Sequence, residues 1–147
     1  MDSVLKNKNV LVTGGAGLVG SHVVENLLTL GANVFVLDIA VKPKSYFVAA
    51  GLEKQCKVIM QDVRDLIGLK KLVLRNGIDY IFHLAAQALV PEALINPHLT
   101  LETNIMGTIN VLEVARENPV IKGVVVAAAD KAYGKDGKDA REDQRLA

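Results

Sequence analysis

One segment constrains this chain more than any other. Asn9 to Thr13 is a short apolar run that ends on Gly14-Gly15-Ala16-Gly17-Leu18-Val19-Gly20. An apolar run of that length, bounded by glycines, reads as a buried strand. From Leu18 to Leu30 the chain carries Val19, Val23, Leu27 and Leu30 at helical spacing, with Val24 and Leu28 beside them. Gly31 stands where a helix C-cap belongs. A strand, a glycine turn and a helix in that order make a cradle for an anion. One glycine lets the chain turn sharply, one lets backbone approach a pyrophosphate, and one lets the helix pack on the strand. The helix N-terminus adds free N–H groups and partial positive charge. Gly14, Gly17 and Gly20 fit the spacing, and so do Gly15, Gly17 and Gly20, so the string leaves the register open.

The alternation continues along the chain. Strands are predicted at Asn33 to Asp38, Lys57 to Met60, Asp79 to His83 and Lys122 to Ala127. Helices are predicted from Leu66 to Arg75, stopped by Asn76-Gly77, and from Leu99 to Glu117, stopped by Asn118-Pro119. Val41 to Lys54, broken by Pro43, reads as a loop with a short helix, and His98 after Pro97 as loop. Apolar strands alternating with helices predict an α/β fold: a doubly wound parallel sheet of the Rossmann type, strand order 3-2-1-4-5, with helices on both faces. Residues 1–133 form one domain on this pattern. Residues 134–147 hold eight charges in fourteen positions and are expected to be a charged loop or frayed tail.

Composition narrows the functional classes. The net charge is +1, with no basic run to neutralise a row of phosphates, so nucleic acid is not an expected partner. No apolar run approaches the ~20 residues that span a bilayer. The N-terminus lacks the basic-then-apolar order of a signal peptide. The one cysteine, Cys56, rules out an intrachain disulfide and fits a reducing, cytoplasmic setting. No His or Cys lies at metal-ligand spacing from His22 or His83, so no metal is expected, and both histidines read as packed or capping residues.

Asp38 ends the second strand, 24 residues after Gly14. A carboxylate there can accept hydrogen bonds from the adenosine ribose hydroxyls and repels a 2′-phosphate. The expected cofactor is therefore NAD, with NADP disfavoured, although Lys42 and Lys44 soften that preference.

Taken together, Thr13 to Gly20, Asp38, Gln61-Asp62-Val63-Arg64-Asp65, His83-Leu84-Ala85-Ala86-Gln87 and Asn104-Ile105-Met106-Gly107-Thr108 resemble the extended short-chain dehydrogenase/reductases, the nucleotide-sugar epimerases and dehydratases. The resemblance covers roughly residues 8–134. It implies that Gly14, Gly17, Leu18, Val19, Gly20 and Ala127 lie against the cofactor. Asp62 would bond the adenine amino group, with Val63 beside the ring, and Leu84, Ala85 and Ala86 would line the cofactor's middle. Asn104 would support the site from the long helix, or bond a neighbouring strand's backbone. Ala128-Ala129-Asp130-Lys131 resembles the end of strand five in sugar 4,6-dehydratases, which implies Asp130 as general acid of water elimination and Lys131 as the assisting base.

Two departures from the family pattern stand out. The family carries Ser or Thr before that Asp, and this chain has Ala129, whose methyl can neither donate nor accept. Loss of such a contact costs about 2.7–4 kcal/mol of transition-state stabilisation. The family also places Tyr, three residues, then Lys on the next helix. Here the residues four after Tyr46, Tyr80 and Tyr133 are Ala50, Leu84 and Gly137. The chain is therefore expected to be the NAD(H)-binding N-terminal domain of a nucleotide-sugar epimerase or dehydratase, truncated, with little or no turnover for want of a positioned base. The nucleotide-sugar substrate would belong to a full-length relative only. Two alternatives stay open: a stand-alone NAD-binding module, regulatory or structural, or a subunit completed by a partner chain. In the family the helix corresponding to residues 99–117 packs in a dimer bundle, which implies a homo-oligomer through that helix.

Overall fold

A computed structural model describes residues 4–129 of the chain. Five parallel strands are found there: β1 (Asn9–Thr13), β2 (Asn33–Asp38), β3 (Lys57–Met60), β4 (Tyr80–His83) and β5 (Gly123–Val126). Their order is β3-β2-β1-β4-β5, the doubly wound arrangement expected from the sequence. Thr13 is in register with Leu37 on one side and His83 on the other. The carboxyl ends of the three inner strands therefore lie level. Between β1 and β4 the winding reverses, and this is where a doubly wound sheet opens a crevice.

Two core clusters cover the two faces. Val10, Val12, Val34 and Val36 pack with Val24 and Leu27 of α1 (Leu18–Thr29), with Phe47 of the short α2 (Tyr46–Ala49) and with Leu52. Leu11, Leu37 and Ile81 pack with Leu69, Leu72 and Val73 of α3 (Leu66–Asn76) and with Val111 and Val114 of a helix further on. Alternate residues of β1 thus serve opposite cores, as the strand period requires. Both outer strands are less covered than their apolar sequences predict: all four residues of β3 and of β5 retain exposure, and Val125 is 56% exposed.

Helix ends follow their chemistry. After α1, Gly31 adopts φ +78 and donates to the Leu28 carbonyl, while Ala32 donates to Leu27. That is a Schellman closure, and glycine supplies the left-handed residue it needs. The buried stripe of α1 runs through Gly20, Ser21, Val24 and Leu27, leaving Val19 and Leu30 exposed, which shifts the apolar face predicted from spacing.

The largest difference from expectation lies between Gln87 and Glu117. Helix α4 (Val90–Ile95) forms where the sequence reading assigns no element, and helix α5 (Pro97–Leu101) takes in His98, which that reading places in a loop. The predicted single helix from Leu99 is instead the end of α5, a π turn (Glu102–Met106) and α6 (Gly107–Glu117). Pro91 and Pro97 sit in the first turn of their helices, where a missing N–H costs nothing.

Candidate functional site

The glycine turn lies at the carboxyl end of β1, and the structure gives each glycine a distinct reason. Gly14 has φ +69, and a Cβ there would lie 2.7 Å from the Ala85 nitrogen. Gly17 is the N-cap of α1, extended at φ −73 and ψ 177. A Cβ on Gly20 would lie within bonding range of the Gly14 carbonyl oxygen, so α1 can sit on the turn only without a side chain here. Gly14 thus makes the sharp turn, Gly20 lets α1 pack on it, and Gly17 begins the helix between them. Gly15 faces Val36 instead, with a Cβ 2.8 Å from its side chain.

No side chain caps α1, and its first turn contains no acidic residue. The first intrahelical donor is Ser21, bonded to the Gly17 carbonyl. The terminus is left with donors and partial positive charge, and no protein acceptor caps them. It opens on a cleft of about 580 Å³.

Gly14, Gly17, Leu18, Asp38, Asp62, Val63, Leu84, Ala85 and Ala86 all line this cleft. Nine residues predicted from four separate stretches of sequence therefore meet at one place. Val19, Gly20, Asn104 and Ala127 do not line it. Val19 points outward, Gly20 underlies the turn, and Ala127 continues past β5, donating to the His83 carbonyl. Asp130 and Lys131, and the segment 134–147, lie outside the described residues.

The two acidic residues are engaged in ways the sequence does not disclose. Asp38 turns its carboxylate back on the chain: Oδ2 accepts the Ala16 N–H at 3.0 Å, and Oδ1 accepts those of Ile39 and Ala40 at 2.8 and 3.3 Å. It staples the glycine turn to the end of β2. Asp62 accepts from the Arg64 side chain, with Nη2 at 2.7 Å from Oδ2, and from the Arg64 backbone N–H at 2.8 Å. Arg64 holds the Asp62 carboxyl below its usual pKa. The same guanidinium reaches Glu102 at 3.0 Å.

Ser45 and Thr103, which the sequence reading passed over, shape the cleft together with residues it named without placing them there. Lys42, Ser45, Gln61, Arg64 and Thr103 line it. The Ser45 hydroxyl and the Gln61 amide nitrogen are buried without a partner, a sign of polar capacity reserved for something else. Asn110, buried in α6, donates to the Val63 and Arg64 carbonyls at 3.0 and 2.9 Å and fixes the loop after β3. Asn104 holds both backbone polar groups of Gln87: Oδ1 accepts its N–H at 2.7 Å, and Nδ2 donates to its carbonyl at 3.0 Å. Its partner is thus the loop beyond β4.

The remaining candidates are structural. His83 is 3% exposed, and burial lowers its pKa. His22 is exposed and stacks on Tyr46 at 4.3 Å between ring centroids. Burial pushes the Cys56 thiol up to about 11, far from a reactive thiolate at neutral pH. Among the described residues no group of His, Cys, Asp or Glu could hold a metal ion, and no helix is long and apolar enough to cross a membrane.

Residues 10–146 match the model of the NAD dependent epimerase/dehydratase family. The chain belongs to that family. This epimerase/dehydratase chain is 33% identical over 143 residues to a bifunctional UDP-glucose 4-epimerase and UDP-xylose 4-epimerase of Pisum sativum, covering 92% of itself and 40% of that protein. Among solved structures it is similar to a UDP-glucose 4-epimerase of Stenotrophomonas maltophila with bound NAD and formylated UDP-arabinopyranose. The TM-score is 0.80 at 26% identity, covering 96% of this chain and 43% of that one. It is also similar to the Thermus thermophilus UDP-glucose 4-epimerase in complex with NAD, with a TM-score of 0.75 at 34% identity, covering 95% and 44%. The chain thus spans about two-fifths of the length of these relatives. All three are 4-epimerases; the leaning toward 4,6-dehydratases rests on Asp130 and Lys131.

Proposed function

We propose that the chain binds NAD(H) in the cleft at the carboxyl ends of β1, β2 and β4, as the N-terminal cofactor part of a nucleotide-sugar epimerase or dehydratase. The observation that carries this is the uncapped N-terminus of α1, seated on Gly14 and Gly20 and opening on a cleft with Asp38 and Asp62. A pyrophosphate supplies the acceptors that the α1 N–H groups lack. The adenosine end falls to Asp38, Asp62 and Val63, and Leu84 to Ala86 form the backbone wall along the middle. Asp38 disfavours a 2′-phosphate, and Lys42 in the same lining opposes that effect. NAD is therefore preferred over NADP by a modest margin.

When bound, the cofactor supplies hydride transfer. Asp130 and Lys131 take the acid and base places that the resemblance gives them. With Ala129 before them, and no Tyr followed four residues later by Lys within the 147 residues, these residues alone are expected to turn over little or no sugar nucleotide. Isothermal calorimetry tests the central claim: NAD⁺ and NADH bind one per chain, NADP⁺ binds more weakly, and absence of heat with NAD⁺ at millimolar concentration overturns it.

One further observation favours self-association. Leu101, Ile105, Ile109 and Leu112 follow one another at helical spacing and are each roughly half exposed. Such an apolar stripe is a docking face. A second copy of the chain is the proposed occupant, and light scattering that returns a monomer at high concentration counts against it.

A further inference from the structure

Four hydrogen bonds link the wall of the cleft to the π turn through the interior, and their direction can be worked out. The Asn104 carbonyl can only accept, so Thr108 Oγ1, 2.7 Å away, donates to it. Thr108 Oγ1 must then accept from His83 Nε2 at 3.0 Å, and Nε2 carries a proton. At the other end the Ala85 N–H can only donate, and it faces Thr13 Oγ1 at 3.4 Å. With Nε2 protonated, a neutral ring leaves Nδ1 as an acceptor, so the Thr13 hydroxyl, 2.6 Å away, donates to it. Every bond points the same way, from Ala85 to Asn104. The direction requires a neutral imidazole protonated on Nε2, and burial favours that state. Asn104 then closes the path, because its side chain grips both backbone polar groups of Gln87. The result is a ring: Ala85, Thr13, His83, Thr108, Asn104, Gln87 and back along the wall.

We infer that His83 is a positioning residue for the dinucleotide: it sets the wall Leu84–Gln87 against the glycine turn and so sets the width of the cleft. The wall already touches that turn, since a Cβ on Gly14 would meet Ala85 and Leu84 backbone atoms at 2.7–2.8 Å. A small shift of the wall therefore opens or closes the space between them. His83, Thr13 and Thr108 do this from outside the lining of the cleft. The role rests on the NAD(H) reading above.

The experiment has two arms on the full chain. Imidazole ¹⁵N shifts of the ligand-free protein at pH 7 are expected to show His83 neutral with the proton on Nε2. A charged ring or the Nδ1–H tautomer overturns the inference without touching the cofactor reading. Calorimetry then compares NAD⁺ with AMP, which uses the adenosine end and not the wall. Thr108→Val and Thr13→Val are expected to weaken NAD⁺ by about tenfold and leave AMP unchanged. Thr108→Ser and Thr13→Ser, which keep the hydroxyl, are expected to retain wild-type affinity. Equal NAD⁺ affinity in the valine variants overturns the inference, as does equal loss of NAD⁺ and AMP, the mark of a general folding defect. Should the valine variants fail to fold, the ¹⁵N shifts and the serine variants still decide. A wild-type chain that binds AMP but not NAD⁺ defeats the cofactor reading and this role with it.

Discussion

Helices α1 and α3 leave the carboxyl ends of β1 and β3 with nearly the same first turn: Leu18-Val19-Gly20 in one, Leu66-Ile67-Gly68 in the other. The residue before that turn differs. Asp65 caps α3, its carboxylate accepting the Gly68 N–H at 2.9 Å. Gly17 offers α1 nothing, and the terminus opens on the cleft. A cap is worth about 1 kcal/mol to a helix. The α1 terminus forgoes that gain and keeps donors available for an anion, whereas the α3 terminus takes the gain and is closed. The third-position glycines differ too. A Cβ on Gly20 meets the fixed Gly14 carbonyl, while one on Gly68 meets the ends of two flexible side chains, Asp65 and Gln61.

The comparison can be broken at each point. Gly20→Ala is expected to destabilise the fold by about 3 kcal/mol, because backbone cannot give way. Gly68→Ala should stay within about 1 kcal/mol of wild type, its gain in helix propensity offsetting a disturbed cap. Urea denaturation of the two variants measures the contrast, and equal losses would mean that the two turns are equally constrained. Gly17→Asp makes α1 resemble α3. NAD⁺ affinity is expected to fall on the order of a hundredfold, since the new carboxylate takes the N–H donors and repels the pyrophosphate. The melting temperature should hold or rise by a few degrees. Undiminished affinity would detach the α1 terminus from cofactor binding. Asp65→Ala is expected to cost about 1 kcal/mol of stability and leave NAD⁺ affinity unchanged. A drop in affinity would bring the α3 terminus into the site.

The strands were the most legible part of the sequence. Asn9–Thr13, Asn33–Asp38 and Lys57–Met60 begin and end where their apolar runs do, because glycines and polar residues bound them. The glycine turn was legible as a turn but not in register, since only the fold brings Gly20 under the Gly14 carbonyl. His98 was misread for a local reason: Pro97 looks like a break in a string, yet it starts a helix, as Pro91 does. The engagement of the acidic residues was hidden for a longer-range one. Asp38 is bound by Ala16, 22 residues away, and Arg64 bridges Asp62 to Glu102, 38 residues away from it. Pairings of that kind are set by topology and leave no periodic trace. For Asp62 a signal existed in its neighbour, because an arginine two residues after a carboxylate can fold back on it.

The π turn between α5 and α6 has a consequence for phase. A turn of that kind holds one residue more than an α-turn, and each residue advances a helix by about 100°. Winding Glu102–Met106 as regular α-turns, with no residue removed, would rotate everything after it by about that angle. Val111 and Val114, now 1% exposed, would swing away from Leu69 and Val73, and exposed Leu112 would turn with them. The chain spends its extra residue on aligning two helical faces that a uniform helix could not satisfy together.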